Sequence, residues 1–346
     1  MPAPPPPPVA APPSPHGALQ RIGFVLVPGF ALMSYASAAE PFRAANILAG
    51  RPLYAVSAFA EGGGSVPSSG AAAVPAAPLG EARGLHSVFV CAGGAPSQWH
   101  RPAVHALLRQ LASEGVRIGG ISGGPYLLAA AGLLHRRRFT IHWEHAAALT
   151  EAFPDLAPEP ARFVIDRDRL TCGGGIAPLD MMHALIAARM GPDFARRVSD
   201  WFLHTEIGAA AGPQRGSLSE RYGVHHPGVL AVLEKMEAGL DAPLARAGLA
   251  RLAGVSPRQL DRLFAAHLGT GVAGTHRRLR LDHGRRLLRE SPLAIAEIAF
   301  ATGFSSAGHF ARCYRAAFGL SPGDERRGHG TERVSLRSSE YSSDEN

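Results

Sequence analysis

An α/β sandwich followed by an all-α domain is the fold class that the sequence predicts. From Arg21 to about Met190, short apolar runs alternate with stretches of helical periodicity, as in a sheet covered by helices on both faces. The last third of the chain instead repeats one pattern of helix, glycine turn and helix, which is typical of helix-turn-helix units. With 346 residues, 46% of them hydrophobic, the chain is long enough for two domains that each have a core.

The two ends of the chain are predicted to be disordered. Residues 1–20 are rich in proline, and residues 328–346 are rich in serine and acids. The start lacks the basic and long apolar regions of a signal peptide, and no run of 18 apolar residues indicates a transmembrane helix. We therefore expect a cytoplasmic protein with one domain over 21–200, a linker and connecting helix over 201–240, and a second domain over 241–327.

The predicted sheet combines buried strands with two hairpins. The strands are expected at 22–27, 53–59, 87–94 and 116–121. Hairpins are expected around 65–74 and 162–175, and helices at 32–48, 102–114 and 179–190. Apolar strands separated by helices build a mostly parallel, flavodoxin-like sheet, and such sheets bind ligands at the carboxyl ends of their strands.

Cysteine usage indicates no metal chemistry. Cys91, Cys172 and Cys313 are odd in number and far apart, so we expect reduced and mostly buried thiols. Their spacing predicts no metal site, and no motif in the sequence predicts a cofactor.

The stretch Gly-Ile-Ser-Gly-Gly, residues 120–124, has the pattern of a nucleophile elbow. It places Ser122 on a sharp turn between a strand and a helix. One interpretation is a serine hydrolase with His142 as the base and Glu40 or Asp180 as the third member. The other is a glycine-lined pocket that binds a ligand without turnover.

The all-α part contains two copies of the repeated pattern, at 249–269 and 295–319. Each has a turn glycine, Gly254 or Gly303, followed by an apolar residue and a serine. Ser256 and Ser305 are predicted to cap the second helix of each unit, and Pro257 suits the first helical position. The outward positions are predicted to meet base edges and phosphates of DNA; the predicted DNA-binding residues are Ser256, Arg258, Gln259, Arg262, Ser305, Ser306, His309 and Arg312.

Charge agrees with a nucleic-acid partner. Residues 243–322 contain twelve arginines and four acids, a net charge of +8, whereas the whole chain carries +7. Such concentrated basicity is typical of DNA-binding domains.

The segment 298–322, Ile-Ala-Phe-Ala-Thr-Gly-Phe through Leu-Ser-Pro, resembles the signature of AraC/XylS-family transcription regulators. The resemblance covers about 80 residues and implies two helix-turn-helix units joined by a long helix, which read adjacent major grooves. One departure lies at Val272 and Thr275, where the family usually has proline and tyrosine. This departure is expected to loosen the start of the linking helix.

Residues 21 to about 190 resemble the class I glutamine-amidotransferase-like domain of the PfpI superfamily, in the version fused to AraC-type domains in GlxA-type regulators. The resemblance rests on the elbow and on the segments 40–46, 91–94, 131–134 and 140–145. Enzyme relatives carry cysteine at the elbow, whereas this chain has Ser122, which needs a positioned base to become a nucleophile. We therefore predict a sensor of small metabolites with no catalytic residues.

The predicted ligand-binding residues are Glu40, Gly93, Gly94, Ser122, Gly123 and His142. The backbone N–H groups of Gly123 and Gly124 at a helix start suit a carboxylate. The aromatic residues expected near the strand ends, able to hold an alkylated ammonium group or to pack in the core, are Phe30, Trp99, Tyr126 and Trp143. Because some relatives respond to amino acids or betaine-like compounds, the resemblance suggests a zwitterionic nitrogen metabolite as effector.

The predicted function is a ligand-responsive, homodimeric transcription regulator. It would bind paired half-sites in promoter DNA, and its effector would change operator affinity or contact with RNA polymerase. An amidase or hydrolase that uses Ser122 and is tethered to DNA is the alternative. A third interpretation is an architectural DNA binder that does not respond to ligand.

Overall fold

The computed structural model describes residues 18–240, 245–291 and 293–327. Most of the proline-rich start and the tail from residue 328, both predicted to be disordered, lie outside these residues. No helix within the described ranges is both long and apolar enough to cross a membrane. The domain boundaries expected at residues 200 and 240 stay predictions.

The described residues form two compact units. The first consists of residues 18–94, 99–142 and 155–212. The second consists of residues 95–98 and 143–154 and of the described part of the chain from residue 213 onward.

The first unit is built on one sheet of eight strands. They are β1 (Gln20–Leu26), β2 (Tyr54–Ala60), β3 (Gly64–Pro67), β4 (Ala73–Pro78), β5 (Ser87–Ala92), β6 (Arg117–Ser122), β7 (Phe163–Asp166) and β8 (Arg169–Cys172). Their order in the sheet is β3-β4-β2-β1-β5-β6-β8-β7. Pairing is antiparallel only at the two edges, in the hairpins β3–β4 and β7–β8. The mostly parallel sheet and both hairpins are as the sequence predicts.

Helices cover this sheet. They are α1 (Leu32–Ala49), α2 (Pro102–Ser113), α3 (Gly124–Ala130), α5 (Ala177–Met190) and α6 (Pro192–Trp201), while α4 (Ala146–Ala152) belongs to the second unit. Helix α6 was not predicted, because the apolar periodicity stops at Met190. It begins at Pro192, directly after Gly191 at φ +90°, so a single left-handed residue separates it from α5.

One hydrophobic core of the first unit lies between the sheet and the layer of α1, α5 and α6. Phe24 and Phe89 stack at 5.6 Å in the sheet. Against them pack buried side chains of the helices, among them Phe42, Met181 and Ile186. This packing fixes the positions of the strand ends and therefore of the loops that follow them.

The second unit is helical around two separate cores. Its further helices are α7 (Leu218–Tyr222), α8 (Pro227–Ala238), α9 (Arg246–Leu252), α10 (Pro257–Leu268), α11 (Val272–Glu290), α12 (Ile295–Ala301) and α13 (Ala307–Phe318). One core joins α8, α9 and α10 to the start of α11, and the other joins the end of α11 to α12 and α13. The structure thus confirms an all-α domain with two helix-turn-helix units linked by one long helix.

The start of that long helix was predicted to be loose, and the structure contradicts this. Val272 is buried, and its N–H donates to Asp261 Oδ1 at 3.2 Å. The hydroxyl of Thr275 donates to the Gly271 carbonyl, also at 3.2 Å. A side chain of α10 therefore holds the first turn of α11.

Candidate functional site

Strand β6 ends in the sharp turn that the elbow pattern predicts. Ser122 is its last residue and has φ +58°. A non-glycine residue in this region costs conformational energy and persists only where the surroundings impose it, commonly at functional sites. Ser122 is also buried, at 7% exposure, so this serine sits at a strained and enclosed point of the fold.

Glycines make this turn sterically feasible. A Cβ on Gly119 would lie 2.2 Å from the Phe89 ring, and one on Gly124 would lie 2.0 Å from the Val90 carbonyl oxygen. These contacts are far too short for real atoms. Glycine is thus required because β6 and the start of α3 pass so close to β5.

The predicted anion cradle at the start of α3 is wrong for Gly123. Its N–H donates to the Ala92 carbonyl at 3.0 Å, so it does not point at a ligand. The helix begins at Gly124, and the following Pro125 has no N–H. Tyr126 N–H returns to the Gly123 carbonyl, which leaves the first turn with few donors for a carboxylate.

A neighbour that the sequence analysis missed lies directly over Ser122. A Cβ on Gly174, which has φ +87°, would lie 2.8 Å from Ser122 Cβ and 2.9 Å from Ser34 Oγ. The next residue, Gly175, donates its N–H to Ser34 Oγ at 2.8 Å. Ser34 is buried on α1. The three consecutive glycines after β8, residues 173–175, were the sequence signal for this close approach.

The other predicted ligand residues differ in their surroundings. The His142 N–H donates to the Ser122 carbonyl at 3.2 Å, so its backbone adjoins the elbow. Glu40 lies on α1 and accepts a hydrogen bond from Arg43 Nε at 2.8 Å, with 42% of its side chain exposed. Gly93 accepts a hydrogen bond from Trp99 Nε1, and Gly94 is exposed at φ +74°.

Asp180, offered as a third triad member, is engaged elsewhere. Its side chain is fully buried, and one oxygen accepts hydrogen bonds from Arg162. The other oxygen accepts a hydrogen bond from the Gly208 N–H at 2.8 Å and lies 2.7 Å from His204 Nε2. The carboxylate links the chain after α6 to α5. The prediction that Asp180 is a member of a triad is therefore wrong.

Two of the four aromatic residues that were considered for binding an ammonium group are instead buried in the core. Phe30 and Trp99 are 0% and 1% exposed and belong to the core, where Trp99 packs edge-on against Tyr126. The Trp99 ring lies so close to Gly123 that a Cβ there would be 2.2 Å away. Trp143 belongs to the second unit, where the guanidinium of Arg215 lies 4.4 Å from its ring centroid.

The cysteines near the elbow are poor nucleophiles. Burial raises the pKa of Cys172 to about 12, although hydrogen bonds from the backbone of Gly174 and Ser122 act in the opposite direction. Burial, with the proximity of Cys172, also raises the pKa of Cys91. Both thiols are therefore protonated at neutral pH and unreactive. Among the described residues, no cluster of three or more His, Cys, Asp or Glu side chains could hold a metal ion.

In the second unit, α10 presents the polar face that was predicted for DNA. Ser256 caps it, with its Oγ accepting from the Gln259 N–H at 3.2 Å. Arg258, Gln259 and Arg262 are exposed and line a common groove with Ser256. Asp261 of the same helix pairs with Arg246 and, as described above, accepts the Val272 N–H.

Helix α13 differs in its cap. The sequence analysis predicted Ser305 as the cap, but Ser306 Oγ accepts the His309 N–H at 3.3 Å and α13 begins at Ala307. The prediction was wrong by one residue because two serines stand side by side and either one satisfies the pattern. Ser305, His309 and Arg312 are exposed, as expected for residues that meet DNA.

Two clusters, one next to each helix-turn-helix unit, consist of a glutamate that is held by a tyrosine and arginine. In the first, Glu237 accepts hydrogen bonds from Tyr222 Oη at 2.7 Å and from two nitrogens of Arg221. In the second, Glu325 accepts from Tyr314 Oη and pairs with Arg285 and Arg289. Glu325 is the more buried, with 5% of its side chain exposed against 26% for Glu237. No sequence pattern indicated either cluster, since the partners lie eleven or more residues apart along the chain.

Comparison with known proteins assigns both parts. Residues 20–188 match the DJ-1/PfpI family, and residues 249–328 match a helix-turn-helix domain family. The HTH-type transcriptional regulator GlxA of Rhizobium meliloti (strain 1021) is 60% identical over 315 residues, which cover 90% of this chain and 97% of that protein. The HTH-type transcriptional regulator GbdR of Pseudomonas aeruginosa (strain UCBPP-PA14) is 39% identical over 311 residues, or 89% of this chain and 84% of that protein.

A solved structure shows the fold as well. A THiJ/PfpI family protein from Pseudomonas syringae is 22% identical, covers 68% of this chain and 91% of its own, and superimposes with a TM-score of 0.51. These findings confirm the resemblances drawn from the sequence. Because the similarity to GlxA extends over nearly the whole of that regulator, the chain belongs to the HTH-type transcriptional regulators that join a DJ-1/PfpI domain to a helix-turn-helix domain.

Proposed function

We propose that this regulator binds promoter DNA as a homodimer through α10 and α13, and that a small zwitterionic nitrogen metabolite, bound beside Ser122, changes its affinity for paired half-sites. The proposed DNA contacts are those of the predicted set. The proposed ligand contacts are Ser122, His142, Glu40 and the glycines 93 and 94, whereas Gly123 contributes packing and no donor.

One observation carries the DNA-binding part. Arg258, Arg262 and Arg312 are exposed on the two capped helices, and none of the three takes part in an ion pair among the described residues. Other arginines of the same unit do pair, as Arg246 does with Asp261 and Arg278 with Asp282. The guanidinium groups on the recognition helices are thus available for guanine edges and phosphates.

The strained serine supports the ligand part. Its φ of +58° is maintained by close packing against Gly174 and by glycines that admit no Cβ, which is the kind of outlier found at binding and catalytic sites. The polar side chains that the structure brings together at the elbow are the hydroxyls of Ser122 and Ser34. We propose that these hydroxyls bind the carboxylate of the zwitterion and that the Glu40 carboxylate contacts its nitrogen.

We propose that Ser122 does not turn over a substrate. The relatives are transcriptional regulators, and a serine at the elbow is a weak nucleophile unless a base is positioned to activate it. The rival hydrolase predicts release of nitrophenol from p-nitrophenyl acetate by the wild type and its loss in Ser122→Ala. Equal release by both proteins would leave Ser122 out of any such activity.

Selection from random duplexes tests the DNA-binding proposal without knowledge of the operator. The full chain should enrich two short boxes about one helical turn, roughly 10 base pairs, apart. Arg258→Ala combined with Arg312→Ala should abolish enrichment, whereas Arg109→Ala, an exposed arginine of α2, should leave it unchanged. Absence of any enriched sequence would contradict the proposal. Light scattering of the same sample measures the expected dimer.

Thermal denaturation of the full chain with glycine betaine, arginine and acetate tests the ligand proposal. A ligand that binds only the folded state raises the melting temperature with its concentration. His142→Ala and Glu40→Gln should reduce that rise, and Glu81→Gln, an exposed carboxylate outside the site, should not. A rise that is the same in all variants would place the ligand elsewhere.

A further inference from the structure

The first unit contains a cavity at the edge of the sheet opposite Ser122. Its rim includes the first residues of four parallel strands, which are Gln20, Tyr54, Ser87 and Arg117. Arg117 begins β6 and Ser122 ends it, so the cavity and the elbow are roughly 17 Å apart at 3.3 Å per residue. The cavity has a volume of about 330 Å³, within the range of small-molecule sites.

Two arginines face this cavity, and its lining includes no acidic side chain among the described residues. Arg117 Nε donates to the hydroxyl of the buried Ser87 at 3.1 Å. The Arg189 guanidinium, from the last turn of α5, donates to the Leu53 carbonyl at 3.1 Å and lies 4.8 Å from the Tyr54 ring centroid. Arg189 also donates to the Ala18 carbonyl, so these named partners of the two guanidinium groups are neutral.

The electrostatics of Arg117 agree with a missing counter-charge. Burial lowers its pKa, and the nearby Arg189 lowers it further, while Tyr54 acts in the opposite direction. No ion pair of the described residues includes Arg117. A half-buried cation without an acid nearby is costly, and an anion that entered the cavity would reduce that cost.

The rest of the lining is apolar. Ile22 and Phe89 come from the sheet, Phe42 from α1 and Leu185 from α5. The Phe42 ring packs against that of Tyr54 with centroids 4.8 Å apart. An inorganic anion would leave these surfaces without a partner, whereas a carboxylate that carries a short aliphatic or aromatic body would contact both parts of the cavity.

We propose that this cavity is a second ligand site, which binds a small monocarboxylate with an apolar body. The carboxylate receives hydrogen bonds from Arg117 and Arg189, and the body packs on Phe42, Phe89 and Leu185. The site is independent of the zwitterion site beside Ser122, so the protein can respond to two chemically different compounds.

Isothermal titration of the full chain with benzoate, benzamide and acetate tests this site. Benzoate should bind at least tenfold more tightly than benzamide, which lacks the charge, and than acetate, which lacks the ring. Arg117→Gln should weaken benzoate at least tenfold, while Arg109→Gln, the same change at an exposed position of α2, should leave it unchanged.

A second variant covers the case in which Arg117→Gln disturbs folding. Ala188 is an exposed lining residue on α5, and Ala188→Leu should close the cavity with a good helix former. Loss of benzoate binding in Ala188→Leu together with retained binding in Ser122→Ala supports the proposal. Binding that survives Ala188→Leu, binding that is lost in Ser122→Ala, equal affinity for all three probes, or no binding of benzoate would each overturn it.

Discussion

The two helix-turn-helix units follow one plan but differ in where they carry charge. In the first, α10 exposes two arginines and a glutamine, and its glutamate cluster at Glu237 is only half-buried. In the second, α13 also exposes two arginines, Arg312 and Arg315, and the Glu325 carboxylate is almost fully buried. Arg258 and Arg262 lie in the first half of α10, whereas Arg315 lies in the last turn of α13. Because the first residues of a recognition helix contact the base edges, the first helix-turn-helix unit is the better placed to discriminate between bases, and the second has the firmer interior. This contrast indicates that the first unit contributes more to DNA affinity and the second more to the rigidity of α11.

The largest effect is expected from removing the arginines of α10. An arginine that contacts a guanine contributes about 2 kcal/mol, so the double variant Arg258→Ala and Arg262→Ala should lose roughly 4 kcal/mol, or about a thousandfold in affinity. The matched double variant Arg312→Ala and Arg315→Ala on α13 should lose only about thirtyfold, because Arg315 lies in the last turn of the helix, away from the base edges. Fluorescence anisotropy with a selected duplex measures both.

Arg109→Ala again serves as the control for the lost charge. An equal loss in the two double variants would remove the asymmetry between the helix-turn-helix units. If the affinity falls uniformly across sequences and the slope of affinity against salt decreases, the arginines contact phosphates and not bases.

The next largest effects, on stability, are expected from the two glutamate clusters. Glu325→Ala removes the acid that pairs with the partly exposed Arg285 and Arg289 and leaves the hydroxyl of the buried Tyr314 without its acceptor, which should cost about 3 kcal/mol. Glu237→Ala should cost about 1.5 kcal/mol, because its carboxylate is partly hydrated. Hydrogen exchange of the full chain measures each loss of stability locally. Exchange should become faster in α11 to α13 for Glu325→Ala and in α7 to α10 for Glu237→Ala. Equal losses of protection would contradict the difference in burial as its cause.

Much of this molecule could be predicted from its sequence, because periodicity and glycine turns report directly on backbone structure. The strands, both hairpins and the recognition helices lie where the apolar pattern placed them. Ser122 occupies the strained turn that the elbow pattern required. Resemblance to known families then supplied the order of the domains and their function.

Partners across the chain could not be predicted, because they depend on which groups the fold brings together. The Gly123 N–H looked like an anion donor until Ala92 was found to accept it. Asp180 looked catalytic until Arg162 and Gly208 were found to hold it. Trp99 and Phe30 looked like ligand contacts because aromatic residues near strand ends serve either purpose, and only burial distinguishes the two.

Lowering the pH should progressively remove the stabilisation that the Glu325 cluster provides. Burial raises the pKa of Glu325, but hydrogen bonds from Tyr314, Arg285 and Arg289 outweigh it, so its pKa lies below the ordinary value. A lowered folded-state pKa means that the stabilisation is complete above the unfolded value, about 4.3, and is lost as pH falls through the folded value. The gap in melting temperature between wild type and Glu325→Gln should therefore be large at pH 6 and shrink towards pH 3. A gap that does not change over this range would show that the charge of Glu325 contributes nothing.

The smallest effect distinguishes the two serines before α13. Replacing a helix cap by alanine costs about 1 kcal/mol. Ser306→Ala should therefore lower the stability of the second helix-turn-helix unit by that amount, and Ser256→Ala should do the same in the first helix-turn-helix unit. Ser305→Ala should leave stability unchanged, since its neighbour supplies the cap. Calorimetric unfolding of the full chain compares the three variants.

If Ser305→Ala weakens binding to the selected duplex without loss of stability, Ser305 contacts DNA. If instead Ser305→Ala destabilises and Ser306→Ala does not, the cap lies one residue earlier and α13 presents a different set of side chains to the groove.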